Sequence, residues 1–319
     1  MKSYEEVPRT RLTPRMPMII RVDGRAFHTY TKKIEHRDEP ESPWNGVMRD
    51  AMTDAARALM REISGAKIAY IQSDEISVLV TDYDKLSSQA WFDKVAQKVC
   101  SVSASIATMA FNCNIRAYID EGLPASMFPA TATFDARAFV VPKEDVCNYF
   151  VWRQRDAEKN SISMLAQHHF SANQLHGKSG PQKQDMLMLE KGVNWNDIPV
   201  WQKRGWCVDR KTVTMTIAEL EAKGGKVTRK SGVVIPPDTE VTRTAVEPDW
   251  DIPIFTKDHW YIDQHVDLEA AEHRRQTEKT LDEICGPSDE SDEPPPEGTE
   301  DLRPEDWLAI SFAVAEEYD

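Results

Sequence analysis

No stretch of this sequence holds 18 consecutive apolar residues, so nothing in it reads as a membrane-spanning helix, and the polar segment Met1 to Arg15 carries no signal-peptide core. Cysteine is scarce. Five occur in 319 residues, at positions 100, 113, 147, 207 and 285, odd in number and without a C-x-x-C pair. That argues against a disulfide framework and a zinc site, and predicts reduced thiols in a cytoplasmic protein. G-x-G-x-x-G is missing too. His176-Gly177-Lys178-Ser179 imitates the end of a P-loop, but the first glycine of that pattern falls on Ala172. No Ser-His or Cys-His arrangement suggests a covalent intermediate.

Positive charge is short overall, with a formal net charge of −14, yet the deficit is local. Residues 281–319 hold 14 acidic side chains and one basic one, Arg303, which leaves a net of −1 upstream. The body can therefore carry basic faces. The run S-D-E-S-D-E-P-P-P-E-G-T-E-D is too charged and too rich in proline to pack, so 282–301 is expected to be disordered, with a more apolar piece, Trp307 to Val314, behind it. A hydrophobic content of 40% is that of a soluble globular protein with a sizeable core.

What is present is arranged around I-A-Y-I-Q-S-D-E-I-S-V-L-V at 68–80. Two short apolar runs, Ile68 to Ile71 and Ile76 to Val80, flank Gln72, Ser73, Asp74 and Glu75, which reads as a hairpin with two carboxylates at its tip. Upstream, Met18 to Val22 is a first strand that ends in Asp23-Gly24-Arg25-Ala26-Phe27-His28. A carboxylate at a strand end followed by Gly lets backbone approach a ligand closely, and the amides of 24–28 become candidates for a phosphate cradle. A helix then starts with Ser42 as N-cap and Pro43 at its first position, with Met48, Met52, Ala55, Leu59 and Ile63 as its stripe. A second helix is expected from Ser87 or Ser88, with Trp91, Val95, Val99, Val102, Ile106 and Met109 inward and a middle of small residues. Its Lys94 and Lys98 lie one turn apart, and Lys94 is a candidate for nucleotide contact. A strand within Pro129 to Val141 and a long helix over Asp145 to Phe170 complete the order βαββαβ, followed by that helix.

This order predicts an α+β protein, a ferredoxin-like sheet with helices on one face plus a C-terminal extension. The first and third strands are neighbours in such a sheet, so Asp23 and Asp74 can converge. Two carboxylates at one point make an oxygen-ligand site suited to Mg²⁺ with substrate phosphates. A pair of such ions is the standard arrangement for phosphoryl and nucleotidyl transfer.

R-V-D-G-R-A-F-H (21–28) with Q-S-D-E (72–75) resembles the tRNA-His guanylyltransferase family and its relatives, the 3′-to-5′ polymerases. The resemblance continues through the small-residue helix, F-D-A-R (134–137), W-R-Q-R-D-A-E-K-N (152–160) and Lys-Arg-Gly at 203–205, covering roughly residues 5 to 215. It implies a polymerase-palm fold in a homotetramer, and two Mg²⁺ ions held by Asp23, the Gly24 carbonyl and Asp74, with Glu75 in support. It also implies a triphosphate held by the backbone of Arg25, Ala26, Phe27 and His28 and by Ser73. The implied activity adds nucleotides to the 5′ end of tRNA, using ATP and GTP or another NTP. Arg153, Arg155, Lys159, Asn160, Lys203 and Arg204 are the candidates for RNA contact. Lys32, Lys33 and Arg37 stand near the place of a phosphate-binding lysine. Glu158-Lys159-Asn160-Ser161 and Met164 depart from the His-Ile-Asn-Asn motif of strict tRNA-His enzymes and resemble the branch that repairs truncated 5′ ends. The expected divisions are 1–142 for the catalytic domain, 143–215 to complete the family core, 216–281 as an added segment on the body, and 282–319 as the acidic tail. Two other classes fit a palm sheet. One is a nucleotide cyclase, whose Gly-Gly-acidic-Glu-Phe hairpin is replaced here by Gln72-Ser73 and Ile76. The other is an RNA-binding module without catalysis, which leaves buried carboxylates unexplained.

Overall fold

The computed structural model describes residues 1–31, 43–122, 124–125, 128, 131–222 and 235–285, the last nine by their backbone alone. Ser42, Lys32, Lys33, Arg37, most of the basic turn at 221–232 and the tail from 286 onward lie outside the described residues. The chain divides into two compact units, Met1–Ala271 and Glu272–Asp319. In the second, the described residues belong to the helix Leu268–Cys285.

The first unit is built on one antiparallel sheet. Its strands are β1 (Met18–Gly24), β2 (Ala66–Gln72), β3 (Glu75–Val80), β4 (Phe134–Val140), β5 (Trp206–Thr216) and β6 (Glu240–Asp249). Their order is β4-β1-β3-β2-β5-β6. The first four follow the split βαββαβ connectivity, and the last two widen the sheet beyond the four strands expected. The helices that matter here are α1 (Lys2–Glu6), α2 (Phe27–Thr31), α3 (Gly46–Glu62), α4 (Ala96–Asp120) and α5 (Val146–His169).

Every residue of β3 is buried, its two polar members Glu75 and Ser77 included. One face of the sheet, with Met18, Ile20, Val22, Ile76, Val78 and Val80, packs under α3 and α4. The other, with Ile19, Ile68, Tyr70 and Leu79, is covered by α5 through Val146, Tyr149 and Phe150, and by Ile252, Phe255 and Ile262 of the later chain. Helices on one face was therefore too simple: α5 takes the opposite face, because both sides of the central strands are apolar and each needs a cover.

Helix starts shifted as well. Asn45, not Ser42, caps α3, its Oδ1 accepting from the Met48 amide at 3.2 Å. The second helix begins at Ala96 rather than near Ser87, after three successive residues, Phe92, Asp93 and Lys94, with left-handed backbone. Lys94 turns inward there and donates to the carbonyls of Thr13 (3.0 Å) and Met16 (2.7 Å) and to Asp82 (3.0 Å). This break resets the helical phase, so Val99, Ser103, Ala107, Phe111 and Ile115 face inward and Met109 faces solvent. Ser103 and Ala107 are the small residues that let α4 approach the sheet closely.

Candidate active site

Along the α5-side face of β1, the side chains run Ile19, Arg21, Asp23, apolar at one end and charged at the other. The cross-strand register extends this into rows. Asp23 stands opposite Glu75 on one side and Asp135 on the other; Arg21 stands opposite Ser77 and Arg137. The charged rows end at the hairpin tip, where Ser73 has φ 50° and the Gly24 amide donates to the Asp74 carbonyl at 3.0 Å. Asp23 and Asp74 are brought to the same edge of the sheet, as the sequence predicts.

Their environments differ. Asp23 is flanked by guanidinium groups, Arg137 at 3.1 Å and Arg21 at 3.3 Å. Burial raises the Asp74 carboxyl above its ordinary value; its own amide and the Ser73 hydroxyl pull it back, and the charge of Asp23 adds to the rise. Glu75 is buried and binds Arg153 in a two-pronged pair, 2.7 Å from Oε1 to Nε and 2.6 Å from Oε2 to the terminal nitrogen. Burial pushes the Glu75 carboxyl up, and Arg153 followed by Arg21 draws it down. The network continues from Arg153 to Asp156 at 3.2 Å.

Several expected roles change here. Arg153 is withdrawn from RNA contact, because its guanidinium is buried and committed to Glu75. Lys94 is withdrawn from nucleotide contact, because its ammonium is buried under three oxygen partners. The Arg25 amide donates to Thr133 at 2.8 Å and is lost to the phosphate cradle. Ala26, with φ 57°, turns the chain into α2, and among the described residues the amides of Ala26, Phe27 and His28 have no carbonyl partner. Arg155, Lys159 and Asn160 are exposed farther along α5. Lys203 and Arg204 are partly buried on the short helix Val200–Arg204, where Arg204 reaches Glu158 at 3.4 Å and Lys203 donates to Asn196 at 2.6 Å. Burial, then Arg204, lowers the Lys203 ammonium. Arg21 and Arg137 were missed as site residues. The signal for them is simple: each lies two positions from an aspartate in a strand, and i and i+2 share a face.

Gly24 is required by a close approach. A Cβ there would sit 2.4 Å from the Phe27 ring, which is itself wedged among Tyr30, Phe111 and Phe134 at centroid distances of 5.0–5.3 Å from Phe27. Gly24→Ala is expected to destabilise the protein by about 1–3 kcal/mol, the usual cost of overpacking, read as a lower urea midpoint.

The donor set tests which ion would suit this edge. Asp23, Asp74 and the backbone of Gly24 offer oxygen, and among the described residues no three His, Cys, Asp or Glu side chains gather at one point. Two carboxylates with coordination positions left for water and phosphate oxygens fit Mg²⁺ and do not fit zinc. Two cavities, about 290 and 640 Å³, lie elsewhere: the smaller beside Asp50, Asp54 and Trp250, the larger beside Gly65, Lys67 and His265.

The family model described as "Thg1: tRNAHis guanylyltransferase" matches residues 1–142. A tRNA(His) guanylyltransferase of Schizosaccharomyces pombe is 30% identical over 216 residues, 64% of this chain and 77% of that protein. Two solved structures of a bacterial tRNA(His) guanylyltransferase (Thg1)-like protein, in complex with ATP and with GTP, are 43% and 39% identical with TM-scores of 0.67 and 0.61. Each covers 84% of this chain and 97% of its own, so the likeness extends past residue 215, where the sequence resemblance stops. The chain belongs to the tRNA(His) guanylyltransferase family, a family of nucleotidyltransferases. No helix among the described residues is long and apolar enough to cross a membrane.

Proposed function

We propose that this protein adds nucleotides to the 5′ end of tRNA in the 3′-to-5′ direction, on a palm-like sheet whose catalytic part is residues 1–142, with 143–215 completing the core. The observation that carries this is the convergence of Asp23 and Asp74 on one edge, in a chain whose relatives of known structure hold ATP and GTP. In the first transfer, a 5′-phosphate oxygen of the RNA attacks the α-phosphorus of ATP, and pyrophosphate leaves. In the second, the 3′-hydroxyl of an incoming GTP or other NTP attacks the activated 5′ phosphorus. AMP leaves, and the hydroxyl proton passes to solvent.

Asp23 and Asp74, with the Gly24 carbonyl, would hold the two Mg²⁺ ions; when bound, these supply a lowered pKa for the attacking hydroxyl and charge neutralisation on phosphate oxygens. The amides of Ala26, Phe27 and His28, with Ser73 beside them, would hold the triphosphate. Glu75 is a positioning residue, holding Arg153 and standing across from Asp23. Arg155, Lys159, Asn160, Lys203 and Arg204 would contact RNA. A homotetramer and a cytoplasmic setting complete the proposal, the latter supported by the free thiols of Cys100, Cys113, Cys147 and Cys207.

The test uses 5′-³²P-monophosphorylated tRNA-His and a 5′-truncated tRNA, each with Mg²⁺, ATP and single NTPs. Extension of the truncated tRNA matched to the opposite base is the outcome expected of a repair enzyme. A single G added to intact tRNA-His alone would make it a strict guanylyltransferase. Extension of neither would sink the proposal.

A further inference from the structure

We infer that the indole of Trp152 is a stacking platform for a nucleobase beside the two-carboxylate edge. The inference rests on the proposed nucleotidyl transfer and supplies what that reading lacks, a surface that holds a base rather than a phosphate. Trp152 is 54% exposed, whereas Tyr149, Phe150 and Arg153 around it on α5 are buried. Isolated exposed aromatics are ordinary, but this one is held in place. The Arg153 guanidinium lies 4.6 Å from its ring centroid, and the Tyr149 ring meets it edge-on at 5.9 Å. Both supports are themselves anchored: Arg153 by Glu75, and Tyr149 by a 2.7 Å hydrogen bond with Ser77.

Position gives the platform its use. α5 packs on Ile19 and Leu79 near its start and reaches Glu75 with Arg153, so it runs toward the charged edge. Tyr149 touches Phe139 of β4 at 5.7 Å, which puts this flank of the helix over the β1–β4 side of the sheet. Trp152, three residues on, leans the same way. That side bears Asp23, Arg21 and the half-exposed Arg137. An exposed aromatic face held rigid from behind is the surface a base asks for, and stacking of this kind accepts any base. The base could belong to a free nucleotide or to the first nucleotide of the RNA.

The experiment measures equilibrium binding to the full chain and to Trp152→Ala and Trp152→Phe. The probes are ATP, GTP, inorganic triphosphate, and a 5′-monophosphorylated RNA whose first nucleotide is ordinary or abasic. Trp152→Ala is expected to weaken a base-bearing probe about 10- to 100-fold, the range of base–aromatic stacking, with triphosphate and abasic RNA unchanged and Trp152→Phe largely restored. Loss confined to ATP and GTP assigns the platform to the free nucleotide; loss confined to ordinary RNA assigns it to the RNA end. Equal weakening of ATP and triphosphate, or parent-like binding of every base-bearing probe, overturns the platform. In the second case a parent protein that still extends tRNA leaves the proposed function standing. A parent that binds no base-bearing probe and extends no tRNA removes both.

Discussion

Asp74→Asn lowers nucleotide transfer by roughly 10³-fold or more while leaving the protein at least as stable as the parent. On the proposed function, the activity loss follows from removing one of the two carboxylates that would hold Mg²⁺ against phosphate charge, an effect worth several kcal/mol where each 1.4 kcal/mol is tenfold in rate. The stability gain follows from the environment of Asp74, whose carboxyl is raised by burial, with the charge of Asp23 adding to the rise. For an acid whose folded pKa lies above its unfolded value, the native state holds more protons through that interval. Stability is then fully present below the unfolded pKa, falls as pH rises through the folded one, and stays lower above it. Urea denaturation of parent and Asp74→Asn from pH 3.5 upward should show the parent losing stability over that interval relative to the variant. Mg²⁺ should raise the parent's melting temperature and leave the variant's unchanged, because ligand binding stabilises only the state that binds. A parent melting temperature indifferent to Mg²⁺ would remove the ion from this edge.

The second large effect is on stability. Arg153→Met leaves the Glu75 carboxylate buried without its partner and is expected to cost about 3–5 kcal/mol. The side chains of this pair are 8% and 9% exposed, and both prongs are short. Exposed pairs such as Arg116–Asp120, at 72% and 61%, contribute about 0.5 kcal/mol or less, so Arg116→Ala is the contrasting control. Replacing both partners, Glu75→Leu with Arg153→Met, should recover most of the loss, since two apolar groups of similar volume carry no charge to desolvate. A double variant no more stable than Arg153→Met, by urea midpoint, would mean that packing rather than charge dominates here.

The elements built from strong local patterns were legible in the sequence. β1, the β2–β3 hairpin, β4 and α5 stand within a few residues of where apolar runs and turn residues put them, because a period of two or 3.6 is a local property. The carboxylate edge was legible for the same reason, since Asp23 ends one apolar run and Asp74 interrupts another. Glycine at 24 was read as letting the backbone approach a ligand; what approaches it in the fold is the Phe27 ring, which packing alone decides.

Other features belong to the folded chain alone. Lys94 looked like a residue on the outer face of a helix, but the left-handed turn at 92–94 delivers it to the Thr13 and Met16 carbonyls and Asp82, more than ten residues away in each case. Arg153 sat in a motif that invites an RNA contact; the buried Glu75 across the α5–sheet interface claims it instead. The covering of both sheet faces and the addition of β5 and β6 depend on which apolar surfaces meet, which no single segment specifies. By itself, then, the sequence determined the first four strands, the hairpin among them and the positions of the two aspartates, because those follow from neighbours within a few positions. Only the tertiary structure decided which charges are spent on one another, as Arg137 is on Asp23 and Asp135, and which ring, Trp152, stays exposed. Burial, which settles that choice, arises between segments distant in sequence.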